Sequence, residues 1–178
     1  MDANLSEVAT IVIPTIPVSQ TASTAVTSLY VNTTGFENVE CVLHLAASAA
    51  GSTSVGLIEV VAASAAAGTG AEAVTFKDIY YTVGATTTIA TGTGIASRVE
   101  QSTAGVPTAK VSYSTVAADG DKQQQYVIPI RVRHLPEGKP YVAVRFTSGS
   151  ATARNGQVMF ILRGSNYGLT PLKTSVFA

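Results

Sequence analysis

Along most of the chain, apolar and polar positions alternate with period two. "ENVECVLHL" places Val39, Cys41, Leu43 and Leu45 on one face and Glu40, Val42 and His44 on the other. "VIPIRVR" sets Ile128, Ile130 and Val132 inward against Arg131 and Arg133. "YVAVRF" sets Val142, Val144 and Phe146 against Tyr141, Ala143 and Arg145. A period of two is the mark of a strand with one face buried. "QVMFILR" is different, because Met159 and Ile161 make its second face apolar as well. Such a strand is central in its sheet, or its outer face meets a partner. Strands are expected at roughly 26–32, 37–46, 55–61, 74–82, 110–116, 124–133, 140–147 and 157–163.

Turn chemistry separates these runs. Asn155-Gly156 and Asp119-Gly120 tolerate positive φ and are expected to form turns. The segment from Lys139 to Asn166 then reads as two strands of one hairpin. "AASAAAGTGAEA", Ala62 to Ala73, favours helix by its alanines but is interrupted by two glycines. It is expected to be a long loop, with at most one helical turn. About eight antiparallel strands without a long helix fit an all-β, single-domain, jelly-roll-like β-sandwich. Pro14 and Pro17 force extended backbone and forbid pairing inside a sheet. The organisation is therefore an extended N-terminal arm over 1–22, a sandwich over 23–168 and a C-terminal tail over 169–178. The apolar residues of the arms must lie across this domain or reach a neighbouring subunit.

Composition narrows the function classes. Only 12% of residues are charged, 11 basic against 11 acidic, so no broad basic field exists for nucleic acid. Low charge and 46% hydrophobic content leave a surface of small residues that suits packing against protein. No apolar run reaches the roughly 18 residues that suggest a membrane span. "MDANLSEVATIVIP" is a poor match to a signal peptide. Cys41, the one cysteine, has no partner for an intrachain disulfide and is expected to be a small buried hydrophobe.

Candidate chemistry is thin. His44 and His134 are the two histidines, and their surroundings have no metal-ligand spacing. Asp119 and Asp121 resemble a fragment of a calcium loop, without its later ligands. The glycine-bearing loops lack the P-loop lysine and the dinucleotide fingerprint, and no GxSxG elbow is present. Glu37, Glu40, Glu59, Glu72 and Glu100 could in principle supply a glycosidase pair. With no tryptophan, a sugar-stacking platform is poorly supplied. No catalytic residue, no cofactor and no metal are expected.

"TGFENVECVLHLAASAA", followed by "KPYVAVRFTSGSATARNGQVMFILRGSNYGLTP", resembles the small jelly-roll decoration or cement proteins of tailed-bacteriophage heads. The shared layout is Gly35-Phe36 before an amphipathic strand, then Lys139, Tyr141, Val142, Val144, Arg145 and Phe146. A serine/glycine turn, a second apolar strand and Pro171 at the exit complete it. The likeness covers about 26–171 in outline, and the alanine-rich middle departs from it. It implies a structural virion protein, made in the host cytoplasm, that binds the outer capsid surface and stabilises it. It also implies the major capsid protein as partner, with a homo-oligomer, trimer or dimer, as the unit. Expected contacts are Ile11, Ile13, Ile16 and Val18 of the arm, Leu172, Val176 and Phe177 of the tail, and the loop 62–73. Arg131, Arg133 and Arg145, on outward faces, could pair with a partner's acids. The rival readings are a receptor- or glycan-binding module of a virion tail or head fibre, a head-fibre base, and a glycosidase on the same scaffold.

Overall fold

The structure is a computed structural model. It describes residues 9–13, 18–20, 25–47, 56–84, 97–103, 106–115, 121–149 and 154–165. Among these the chain is all-β, and its strands form two antiparallel sheets packed as a sandwich. The first sheet contains β1 (Ala9–Val12), β2 (Val18–Gln20), β5 (Phe36–Leu45), β8 (Asp78–Val83), β9 (Ser97–Glu100), β13 (Gln124–Arg131) and β15 (Arg154–Ser165). Its order is β1-β15-β5-β13-β8-β9, with β2 also on β15. The second contains β3 (Ala25–Thr27), β4 (Val31–Asn32), β6 (Leu57–Ala63), β7 (Glu72–Val74), β12 (Ser112–Ser114) and β14 (Tyr141–Thr147). Its path is β12-β6-β14-β3, with β4 on β14 and β7 on β6. A small ribbon, β10 (Ser102–Thr103) with β11 (Val106–Pro107), stands apart.

The core is the meeting of the two inner faces. Val39, Cys41, Leu43 and Leu45 of β5 face it, with Tyr126, Ile128 and Ile130 of β13 and Val158, Phe160 and Leu162 of β15. From the second sheet come Ile58, Val60 and Ala62 of β6 and Val142, Val144 and Phe146 of β14. The period-two assignment of faces therefore holds on β5, β13, β14 and β15. Cys41 is 1% exposed, and burial pushes its thiol pKa up. Strands that follow one another along the chain often change sheets, as β5 to β6, β12 to β13, β13 to β14 and β14 to β15 all do.

That last crossing corrects the hairpin reading of Lys139 to Asn166. β14 pairs with β6, β3 and β4, whereas β15 pairs with β5, β1 and β2. Both strands send an apolar face into the one core, so lying in opposite sheets buries the two faces against each other. Asn155-Gly156 is not a turn but lies within β15, where Gly156 is paired to Leu45 and Val18. The alanine-rich segment is also corrected. Ala62 and Ala63 are strand residues at 0% exposure, and Glu72 and Ala73 already belong to β7. The turn shrinks to 64–71, where Gly68 and Gly70 take positive φ.

Two further departures have local causes. β13 ends at Arg131 and Val132–His134 forms a 3-10 turn closed by Leu135 N–H to the Val132 carbonyl at 3.0 Å. The chain must leave the first sheet there, while Val132 still packs against the core. Pro129 sits inside β13, opposite Glu40 of β5. Pairing with β8 stops at Val127, so the missing N–H of Pro129 breaks no ladder on that side.

Candidate docking surface

The two sheets also have outer faces, and these differ. On the second sheet, Val61, Ala63 and Ala143 face away from the core yet are at most 1% exposed. The turn 64–71 folds back so that Gly68 lies against the Tyr30 ring; a Cβ there would come within 2.7 Å of it. Arg145 donates from Nε to Glu59 Oε2 at 2.8 Å, across the β14–β6 pair. That hydrogen bond, with the Glu59 charge, raises the guanidinium pKa. Lys139 is bonded to Glu72, which lies opposite Ala62 at the start of β7. The chain covers this side with its own groups.

On the first sheet, register builds an apolar stripe on the outer side. One row runs Ile11–Ile161–Glu40–Pro129 across β1, β15, β5 and β13. The next runs Met159–Val42–Val127–Tyr80 across β15, β5, β13 and β8. Val42 is only 4% exposed although it lies outside the core cluster. By register it sits between Met159 and Val127 in the middle of the face. Ile11 is 47% exposed and Ile13, just past β1, is 59% exposed. Glu40 stands within the first row and is paired with Arg163 at 3.3 Å, and Arg98, beside Tyr80 at the end of the second, is paired with Asp78 at 2.7 Å. A partner would meet apolar side chains without first having to neutralise these charges.

The expected contact residues divide accordingly. Ile11 and Ile13 belong to this surface, at the edge of the first sheet. Val18 is in β2, on the same strand edge. Ile16, Leu172, Val176 and Phe177 lie outside the described residues. Arg131 shares the row of Asn38 and Arg163, at the rim of the stripe, and is exposed. Arg133 is exposed on the 3-10 turn. Arg145 is on the opposite sheet and is engaged by Glu59. Sequence reasoning missed Val42, Val127 and Tyr80 as members of the surface. The double-sided pattern of β15 pointed there, but cross-strand register was needed to find its neighbours.

No protein-family model matches the chain, and no match is found among curated proteins.

The other candidate groups are scattered. His44 is exposed on the outer face of β5 between Gln157 and Gln125, and His134 is exposed on the 3-10 turn. Among the described residues no cluster of three or more His, Cys, Asp and Glu could hold a metal. Glu40, Glu59, Glu72 and Glu100 are each ion-paired to a different cation. Asp119 lies outside the described residues. Tyr81 and Tyr126 stack at 6.2 Å between ring centroids, and Tyr113 tilts onto Tyr126 at 6.0 Å. Tyr126 is 1% exposed and its hydroxyl donates to Gln124 Oε1 at 2.8 Å, so this aromatic group is part of the core.

Proposed function

We propose that the chain is a structural virion protein that binds the outer surface of a phage capsid and stabilises it, with no enzymatic step. The observation that carries this reading is the apolar stripe on the outer face of the first sheet, built from Ile11, Ile161, Met159, Val42 and Val127. The resemblance to head decoration proteins supplies the identity of the partner, the major capsid protein. The low, balanced charge supports it too, since neighbouring copies on a shell would not repel one another. Each square ångström of apolar surface covered contributes roughly 25 cal/mol before the costs of association. Small gains repeated over many copies harden a shell.

The test is to mix the purified chain with capsids that lack it, sediment them and count bound copies. Saturation at a fixed ratio to the capsid protein, with capsids then surviving higher temperature, is expected. Ile161→Lys should weaken this binding while leaving the fold intact. Absence of co-sedimentation would sink the reading for that capsid and turn attention to glycan and receptor binding.

A further inference from the structure

The first sheet ends in two unlike edges. At one, β9 carries Arg98 and Glu100, and these pair with Asp78 at 2.7 Å and Lys77 at 2.6 Å. Charges on an edge strand discourage another strand from adding there. At the other, β1 reads Ala-Thr-Ile-Val, with no charge and no proline. Among the described residues β1 is paired on one side alone, with β15. A strand bonded on one side presents unpaired backbone N–H and C=O groups on the other. Next to them stand Ile11 and Ile13, 47% and 59% exposed. Among the described residues the edges of the second sheet are shorter, although Leu29 and Val111 beside them are 66% and 46% exposed. β3 and β12 are three residues each, and β3 stops at Ser28, whose Oγ accepts the Val144 N–H at 3.1 Å.

We propose that β1 pairs antiparallel with β1 of a second copy of this chain, about a twofold axis at Ile11. Symmetry and side-chain parity together select this register. A twofold interface must be self-complementary. Residues opposite each other across two strands must point to the same face of the joined sheet. Both conditions hold only when the axis passes through a residue. Centred on Ile11, the pairing sets Ile11 opposite Ile11, Thr10 opposite Val12 and Ala9 opposite Ile13. No charge meets a like charge. Centring on Val12 would draw in Pro14, which has no N–H to give. Centring on Thr10 would leave Ile13 outside the pairing. An axis through paired antiparallel strands stands perpendicular to the sheet, so both outer faces look the same way and the apolar stripe doubles in one plane. The dimer stands on the edge chemistry and does not depend on capsid binding.

The test uses the full chain. Sedimentation equilibrium should show a dimer. Residues directly opposite across antiparallel strands have Cα atoms about 4.5–5.5 Å apart, within the roughly 4.4–6.8 Å that a disulfide spans. Ile11→Cys should therefore cross-link to itself under mild oxidation and give a dimer band without reductant. Thr10→Cys should not, but a mixture of Thr10→Cys with Val12→Cys should. Cys41 is buried and does not compete. Ile11→Lys sets two ammonium groups on the axis and should raise the dissociation constant about fivefold or more, with circular dichroism unchanged. A monomer at all concentrations would overturn the proposal. So would a dimer that Ile11→Lys leaves intact, or one in which Thr10→Cys links to itself as well as Ile11→Cys does.

Discussion

The outer faces of the two sheets are made from similar strands but are finished differently. The face of β6 and β14 carries small residues, Val61, Ala63 and Ala143, and all are buried. Tyr30 beside Gly68, the turn 64–71 and the Arg145–Glu59 pair close it. The face of β15, β5 and β13 carries Met159, Ile161 and Val127, which are half-buried, around a buried Val42. Small residues let the chain fold its own turn down onto a sheet. Larger, flexible ones such as Met159 fill an uneven surface and accept a foreign one. Apolar content alone thus does not mark an interface. What marks it is apolar content that the chain leaves uncovered.

The sharpest way to break this contrast is to put a charge on each face. Ala143→Asp buries a carboxylate at a position with 0% exposure, opposite Val61. It should cost about 3 kcal/mol or more, because the group gains no partner. Ile161→Lys lets the new stem lie along the sheet and carry its ammonium to water beside Glu40. It should cost about 1 kcal/mol. Urea unfolding of both variants decides the point, and equal losses would erase the distinction between the faces.

Removing the cover is the next test. Tyr30→Ala takes away the ring that Gly68 rests on and should cost about 2 kcal/mol. Met159→Ala removes a half-buried side chain from the open face and should cost about 1 kcal/mol. Hydrogen exchange at Val61 and Ala143 should rise in the first variant and stay unchanged in the second.

Much of this was legible in the chain. The long expected strands at 37–46, 124–133, 140–147 and 157–163 are present with small changes of bounds, because each sends alternate apolar residues to one core and a slip would expose them. By contrast, 26–32 breaks into β3 and β4, and 74–82 divides between β7 and β8 in different sheets. The open face was half legible: the apolar second side of "QVMFILR" announced it, but its companions Val42, Val127 and Tyr80 sit on strands far away in sequence. Crossing between sheets was not legible. "KPYVAVRF" and "NGQVMFILR" have hairpin spacing and a turn dipeptide, yet the shared core holds them in opposite sheets. The loop expected over 62–73 is present but shorter, at 64–71, because its two ends are strand. The helix propensity of alanine is a weak preference, and burying Ala62 and Ala63 inside β6 outweighs it. Short edge strands such as β9 and β1 carry too few residues for periodicity to register.

The smallest effects separate the two ion pairs. Glu59 shows only 16% of its side chain, so Arg145→Ala leaves a mostly covered carboxylate without its partner. A loss of about 1 kcal/mol is expected. The Arg163–Glu40 pair is longer, at 3.3 Å, and its side chains are 45% and 25% exposed. Water can replace Arg163 there, and salt already screens the pair over about 8 Å at physiological ionic strength. Arg163→Ala should therefore change stability by less than about 0.5 kcal/mol. Urea midpoints at low and high salt would compare the two substitutions directly. A loss of about 1 kcal/mol or more for Arg163→Ala would mean that this pair is part of what holds the first sheet together. The face it borders would then be a finished surface like the other, and Ile161 and Met159 would be bystanders rather than the proposed docking place.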